Sequence, residues 1–135
     1  MVYSNKRLVM EVKSGEARGF NFTIKTKSGL LNTDGTPQYI PMNLAEYTVE
    51  FDIKQYPYYS VKSLVSKVIT TTYSTDGEIY EPVGGKFRIQ VTLDDLEKLV
   101  PSQDYYVIIT LVNGSTRIII SGEGNTSGVF RFCKS

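Results

Sequence analysis

The sequence predicts an all-β fold, an antiparallel β-sandwich of seven or eight strands with one short helix near residues 93–99. Several short segments alternate apolar and polar residues, which is typical of half-buried strands. Turn signals rich in Gly, Asn, Asp and Pro separate these segments at fairly regular intervals. Only one segment has apolar residues at helical spacing. The 135 residues contain no internal repeat and no linker, so a single domain over 1–135 is expected.

The clearest unit is a strand, a helix and a second strand within residues 85–112. Residues 86–91 alternate cleanly, and Thr92 fits the N-cap of the helix, with Asp94 and Asp95 in its first turn. Pro101 ends the helix, because the residue before a proline is disfavoured in the α region. The helix carries a small apolar stripe made of Leu93, Leu96, Leu99 and Val100.

The other predicted strands are taken in chain order. They cover residues 7–13, 20–24, 44–53, 61–73, 105–112, 116–121 and 129–133, with a short extended piece at 78–82. The expected buried faces include Met10 with Val12, the trio Val49, Phe51 and Ile53, and Phe130 with Phe132. Asn113-Gly114 is the strongest hairpin signal, because both residues tolerate a positive φ. Residues 28–43 are predicted to be an irregular loop, and 122–128 a glycine-rich connection.

Composition excludes several classes of function. Fifteen Lys+Arg balance 14 Asp+Glu, and the net charge of +1 gives no electrostatic case for nucleic acid or an anionic membrane. No apolar run is long enough to cross a bilayer, and no signal peptide is visible, so synthesis in the cytoplasm is expected. Histidine is absent and Cys133 is the single cysteine, which excludes His-based triads and an intrachain disulfide.

No catalytic, cofactor-binding or metal-binding residues are predicted. Asp94 and Asp95 are adjacent on a helix and diverge in direction, so they are interpreted as first-turn acids and not as an acid/base pair. The glycines at 122–128 lack the spacing of a dinucleotide loop. Asp34-Gly35 and Asp76-Gly77 are interpreted as turns, because no run of oxygen ligands surrounds them.

Tyrosines in two predicted loops form the first candidate binding feature. Tyr56, Tyr58 and Tyr59 surround Pro57, and Tyr39 lies near Pro41. Tyrosine is favoured at interfaces because it offers a large, stiff contact area with one polar tip. Two alternatives are that the rings cap the ends of the core, or that they stack on carbohydrate.

The strand at 105–112 is the second candidate, because it is apolar on both faces. Such a strand is either central in its sheet or covered by a partner. A two-layer sandwich covers one face of each sheet, so the face with Tyr106, Ile108 and Val112 needs a second cover. The short helix can shield only part of it, and a neighbouring subunit is expected to cover the remainder.

Four patterns taken together resemble a known family. They are Leu44-x-x-Tyr47-x-Val49-x-Phe51-x-Ile53; Gly85-x-Phe87-x-Ile89-x-Val91-Thr92 followed by Leu96 and Leu99; Tyr105-x-Val107-x-Ile109-x-Leu111; and Gly128-x-Phe130-x-Phe132. In this order they resemble the immunoglobulin-like domains of tailed-phage virion proteins. Examples are the N-terminal domain of siphophage upper baseplate proteins and the small auxiliary capsid or head-fibre proteins of crAss-like phages. The resemblance implies an immunoglobulin-like sandwich without catalytic residues.

The resemblance also implies a function. The expected protein is a non-enzymatic virion component, present in multiple copies, that binds other virion proteins such as a major capsid protein or tail and baseplate subunits. The sequence shows no fibre or receptor-binding segment after the sandwich, which favours an auxiliary (decoration) capsid protein in the virion. The alternatives are a tail or baseplate adaptor and a carbohydrate-binding sandwich. A hydrolase is disfavoured because no base and nucleophile pair is visible.

Overall fold

The computed structural model describes residues 8–56, 58, 60–121 and 128–134. These residues contain eleven strands and one short helix. The all-β fold is confirmed, and its immunoglobulin-like type stays a prediction. The strands are β1 (Val9–Lys13), β2 (Arg18–Thr23), β3 (Lys25–Leu31), β4 (Pro37–Pro41), β5 (Thr48–Lys54), β6 (Val65–Ile69), β7 (Gly77–Glu81), β8 (Lys86–Val91), β9 (Gln103–Asn113), β10 (Thr116–Ser121) and β11 (Gly128–Cys133). The helix is α1 (Leu93–Glu97).

The strands form two main sheets and one separate pair. The larger sheet has the order β1-β11-β9-β5-β6, with β10 also paired to β9. The smaller sheet has the order β2-β8-β7, and β3 pairs with β4. Strand β9 is central, as predicted. Strand β5 pairs with one edge of β9, and β11 and β10 pair with successive parts of its other edge. The predicted Asn113-Gly114 hairpin joins β9 to β10.

One pair departs from the antiparallel prediction. Strand β1 runs parallel to β11, with Met10 opposite Phe130 and Val12 opposite Phe132. The pair joins segments from near the two ends of the sequence, and a local pattern gives no direction for such a pairing. The inward faces predicted for both strands are nevertheless confirmed, because all four of these side chains are buried.

Buried side chains from both main sheets belong to one hydrophobic core. The predicted inward residues Val49, Phe51 and Ile53 of β5 are fully buried. Phe87 of β8 is fully buried and stacks on Phe22 of β2, with ring centroids 5.0 Å apart. Alternation with period two, which places every second side chain on one face, accounts for these assignments.

Helix α1 connects β8 to β9 and begins as predicted at Thr92. The Thr92 hydroxyl accepts a hydrogen bond from the Asp95 amide at 3.2 Å, and the Asp95 carboxylate accepts one from the Thr92 amide at 2.8 Å. This capping box satisfies two amides that the first turn leaves without helical partners. Only half of the predicted apolar stripe is buried: Leu96 and Leu99 join the core, while Leu93 and Val100 are exposed.

Two sequence predictions are wrong about extent. Residues 28–43 are not an irregular loop, because most of them belong to the β3–β4 hairpin. Prolines and glycine suggested a loop. Pro37 and Pro41 lie on an edge strand, where a proline can be accommodated although it has no backbone N–H to donate to a neighbouring strand. The strand predicted over 61–73 is limited to β6. Its β-branched residues continue beyond the segment that pairs with β5.

Candidate interaction surfaces

The β3–β4 hairpin, residues 25–41, is called the arm. No side chain of either strand is buried, and among the described strands each of the two pairs only with the other. Three cross-strand pairs define one exposed face: Lys25 with Pro41, Lys27 with Tyr39, and Leu31 with Pro37. Leu31 is 69% exposed. This face therefore presents apolar surface beside two lysines, and the predicted partner-binding residue Tyr39 belongs to it.

Hydrogen bonds give the arm a defined shape. On its other face the Ser28 hydroxyl donates to the Gln38 side-chain oxygen at 2.9 Å. At the tip, the Asp34 carboxylate accepts from the Thr36 hydroxyl at 2.6 Å and from the Thr36 amide at 3.0 Å. These bonds from Thr36 hold the pKa of Asp34 below its ordinary value. The tip is thus a hydrogen-bonded turn.

The base of the arm is tied to the smaller sheet. The Ile24 amide donates to the Gly85 carbonyl at 2.8 Å, and the Met42 amide donates to the Ile24 carbonyl at 2.9 Å. Gly85 has a φ of +71°, and a Cβ there would meet the Ile24 carbonyl oxygen at 2.4 Å. Glycine is therefore required at this junction. The position of the arm relative to the sheets follows from these backbone contacts.

The second tyrosine group lies at the opposite end of the fold. Tyr56 and Tyr58 follow the end of β5, whereas Leu44, which precedes β5, bonds through its amide to Pro82 near the arm. A seven-residue strand spans roughly 23 Å, so Tyr39 does not share a surface with them. Tyr58 is 58% exposed, and its carbonyl accepts from the Lys54 ammonium at 3.2 Å. Tyr59 lies outside the described residues.

The outer face of β9 is covered largely by this chain itself. Ile108 is only 8% exposed, and Tyr106 is half-buried. Arg117 of β10 and Glu50 of β5 form an ion pair at 3.0 Å across β9. Helix α1 does not fold over this face, because its buried Leu96 belongs to the core and its buried Asp95 pairs with Lys67. Ile108 therefore needs no partner to bury it, and its place in a subunit contact stays a prediction.

A buried ion cluster joins three elements, and the sequence analysis missed it. Lys67 occupies an inward position on β6 between Val65 and Ile69. Its ammonium lies 2.7 Å from the Asp95 carboxylate and 2.6 Å from the Asp76 carboxylate. The sequence did contain a signal for this cluster. Residues 65–69 alternate between buried and exposed positions, and Lys67 stands at a position where an apolar residue is expected. Asp95 thus has a second role beyond the predicted first-turn acid, because it holds α1 against β6.

An open cleft lies beside α1. Its volume is about 310 Å³. The residues that line it come from the β1–β2 turn, the helix region and β11: Ser14, Gly15, Leu93, Leu96, Glu97, Pro101 and Phe132. Leu96 and Phe132 form an apolar floor, Leu93 is 51% exposed, and Glu97 is the one charged side chain of the lining. The cleft can accept an apolar side chain next to a positive charge.

Comparisons with known proteins leave the family open. No family model matches the sequence, and no curated protein matches it. Across the part of the chain that the structure describes, no group of three or more Cys, Asp and Glu side chains is placed to hold a metal ion. No helix within the described ranges is long and apolar enough to cross a membrane.

Proposed function

We propose that the protein is a non-enzymatic structural component of a tailed-phage particle, an auxiliary capsid protein that binds other virion subunits. The observation that carries the proposal is the arm, a hydrogen-bonded hairpin whose two strands bury no side chain in their own fold. Exposed apolar side chains on a defined scaffold are typical of protein interaction sites. The resemblance to virion domains supplies the kind of partner.

The test is the protein content of purified particles. Washed virions of the encoding phage should contain the chain in stoichiometric amounts by quantitative mass spectrometry. Its absence from washed particles would contradict the proposal. A low-resolution map of the particle would separate the capsid location from the alternative, a tail or baseplate adaptor.

Arm variants test the same proposal in more detail. Tyr39→Asp should reduce incorporation into particles, because a charge would enter the contact. Tyr73→Asp is the matched control, because Tyr73 is 67% exposed and lies outside the arm. Equal incorporation of both variants would show that the arm does not bind the particle.

A carbohydrate-binding role is the second candidate, and the exposed rings of Tyr56 and Tyr58 favour it. Aromatic side chains in loops offer flat apolar faces with polar tips. A glycan array should then give a signal that Tyr58→Ala removes and Tyr73→Ala preserves. An array without signal, or binding unchanged by Tyr58→Ala, would eliminate this candidate.

A further inference from the structure

Lys67 places a nucleophilic amine inside the hydrophobic core. Its side chain is 2% exposed, and its neighbours on the inward face of β6, Val65 and Ile69, belong to the core. The Asp95 carboxylate, whose side chain is 8% exposed, lies 2.7 Å from the Lys67 nitrogen. Two opposite charges are thus held against each other where little water reaches them, and removing charges from water is costly for a fold.

A second carboxylate and a backbone amide complete the arrangement around this pair. Asp76 Oδ1 lies 2.6 Å from the Lys67 nitrogen, and the Asp76 side chain is 46% exposed. The Thr92 amide donates to Asp95 Oδ2 at 2.8 Å, and this is the same oxygen that contacts Lys67. The group therefore contains an amine, a carboxyl group polarised by a fixed donor, and a carboxylate with access to solvent.

Proximity and the exclusion of water both favour condensation of the buried amine with the buried carboxyl group. Reacting groups that a fold holds in contact behave as if present at effective concentrations of about 10⁵–10⁸ M. An amide is neutral, so its formation removes two buried charges and leaves polar atoms that hydrogen bonds can satisfy. Hydrolysis of the amide is disfavoured in the same place, because it requires water to enter the core.

We propose that Lys67 and Asp95 form an intramolecular amide bond, which is a covalent cross-link between β6 and α1. Asp76 accepts a proton from the Lys67 ammonium, and the freed nitrogen lone pair attacks Cγ of Asp95. The N–C bond forms, Oδ1 leaves, and Oδ2 becomes the amide oxygen with its hydrogen bond from the Thr92 amide. The two protons that the nitrogen loses pass through Asp76 to Oδ1. One water molecule is therefore released on the exposed side of Asp76.

The cross-link closes a loop of the chain between residues 67 and 95. That loop contains β7 and β8 of the smaller sheet, whereas β6 belongs to the larger sheet. A covalent loop stabilises a fold chiefly by restricting the unfolded chain. Loss of Asp95 removes either the bond or the ion pair that precedes it, so it destabilises the fold in both cases. This inference concerns the chain alone and does not depend on the proposed virion location.

The test is the mass of the purified full chain, measured under denaturing conditions. An ion pair dissociates in denaturant, whereas an amide bond persists. The wild-type chain should be lighter than its sequence by the mass of one water molecule. Trypsin should release residues 63–86 joined to residues 89–98, because it does not cleave after an acylated Lys67. Wild-type protein that is folded by circular dichroism and has the full sequence mass would overturn the inference.

Peptide mapping distinguishes the cross-link from another loss of water. An Asp-Gly pair can lose water by forming a succinimide ring, and the sequence contains Asp34-Gly35 and Asp76-Gly77. A succinimide joins no peptides and leaves cleavage after Lys67 intact, so a mass loss that maps to either pair would also overturn the inference. The exposed pair of Lys86 with Glu81, 3.4 Å apart, is an internal control that should stay unlinked.

Variants separate the bond from the ion pair. Lys67→Arg keeps a positive charge but does not form the amide, so its chain should have the full sequence mass. Asp76→Ala keeps both reacting groups and removes the proton carrier, so cross-linking should be about 100-fold slower or more, as expected for loss of general acid–base catalysis. Asp94→Asn, at an exposed position of the same helical turn, should cross-link like wild type.

Samples taken at intervals after a pulse of synthesis give the cross-linking rates of these chains. A mass loss of one water molecule that persists in Lys67→Arg would overturn the inference. Equal rates for Asp76→Ala and wild type would contradict the proton transfer through Asp76. The wild-type mass remains decisive even where a variant fails to fold, because it requires no substitution.

Discussion

At the scale of single residues, the buried lysine has the largest consequence. Lys67 has left water, and the carboxylates of Asp95 and Asp76 compensate for the loss of hydration. Removing one partner of a buried pair leaves a charge without compensation, which costs far more than losing an exposed pair. The cluster therefore couples the position of α1 to β6 and to the Asp76-Gly77 turn.

The first prediction concerns this cluster. Asp95→Asn should lower the free energy of unfolding by about 3–5 kcal/mol, because Lys67 would keep only the partly exposed Asp76 as an ionic partner and the cap would lose its carboxylate. Asp94→Asn is the matched control from the same helical turn, where the carboxylate is exposed, and it should change stability by less than about 1 kcal/mol. Urea titrations of both variants measure the difference, and equal effects would contradict the structural role of Lys67.

The second prediction concerns Phe51, which is fully buried on β5. Phe51→Ala should cost about 3–5 kcal/mol, because it removes a large apolar contact and leaves a cavity. Val68→Ala, at an exposed position of the neighbouring strand β6, is the control and should have little effect. A loss below about 1 kcal/mol in a denaturant titration would mean that Phe51 does not belong to the core.

The third prediction concerns pH and the arm tip. The pKa of Asp34 is lowered in the folded chain, because the ionised carboxylate accepts hydrogen bonds from Thr36. A lowered folded pKa gives stabilisation that is present above the unfolded pKa and is lost as pH falls through the folded pKa. The Thr36 amide resonance should therefore shift as acid is added. Asp34→Asn should abolish that shift, and a shift that persists in this variant would assign it to another group.

At the scale of elements, the arm and the two main sheets differ in what stabilises them. The sheets are held by a shared core, whereas the arm has hydrogen bonds and no buried side chain. Its strands keep their register through their own pairing and through the contact between Ile24 and Gly85 at the base. The arm should therefore be separable from the remainder of the fold.

The fourth prediction tests this independence. Replacing residues 25–41 by a two-residue turn should change the free energy of unfolding by less than about 1 kcal/mol, since little apolar surface is lost from the core. The ends are already close, because the Met42 amide bonds to the Ile24 carbonyl. Chemical denaturation of the shortened chain measures the change. A loss of more than about 3 kcal/mol would show that the arm contributes to folding.

At the scale of the whole molecule, β9 determines how the chain meets its surroundings. It is central in the larger sheet, with core residues on one face and Ile108 nearly buried on the other. One ion pair, Arg117 with Glu50, and one loop contact, the hydrogen bond from Ser63 to Asp52, flank that outer face. Within the part of the chain that the structure describes, the arm, the cleft and the loop with Tyr56 and Tyr58 are candidate surfaces for partners.

The fifth prediction separates a structural role of Ile108 from an interface role. Ile108→Lys should destabilise the purified domain by about 3 kcal/mol or more, because a charge would be placed at a nearly buried position. Val68→Lys is the control on the same outer face, where the side chain is 58% exposed, and it should be nearly neutral. A folded Ile108→Lys variant that fails to enter particles would instead assign Ile108 to a subunit contact.

Local signals in the sequence were sufficient for most of the fold. Period-two alternation predicted the inward faces of β5, β8 and β11, and Asn113-Gly114 predicted the hairpin between β9 and β10. Thr92 predicted the start of α1. These features depend on neighbouring residues along the chain, so their physical causes can be seen in the sequence. Tyr39, Tyr56 and Tyr58 were likewise found at exposed positions.

Tertiary structure decided the features that depend on distant segments. The parallel pairing of β1 with β11 and the ion cluster of Lys67 with Asp95 join residues far apart in the sequence. The near-complete burial of Ile108, which is 8% exposed, was likewise not visible in the local pattern. The separation of Tyr39 from Tyr58 depends on which end of the fold each loop reaches. Alternation specifies which face of a strand is buried, and capping specifies where a helix begins. Which strand faces and which helix ends come into contact is determined only when the sheets assemble.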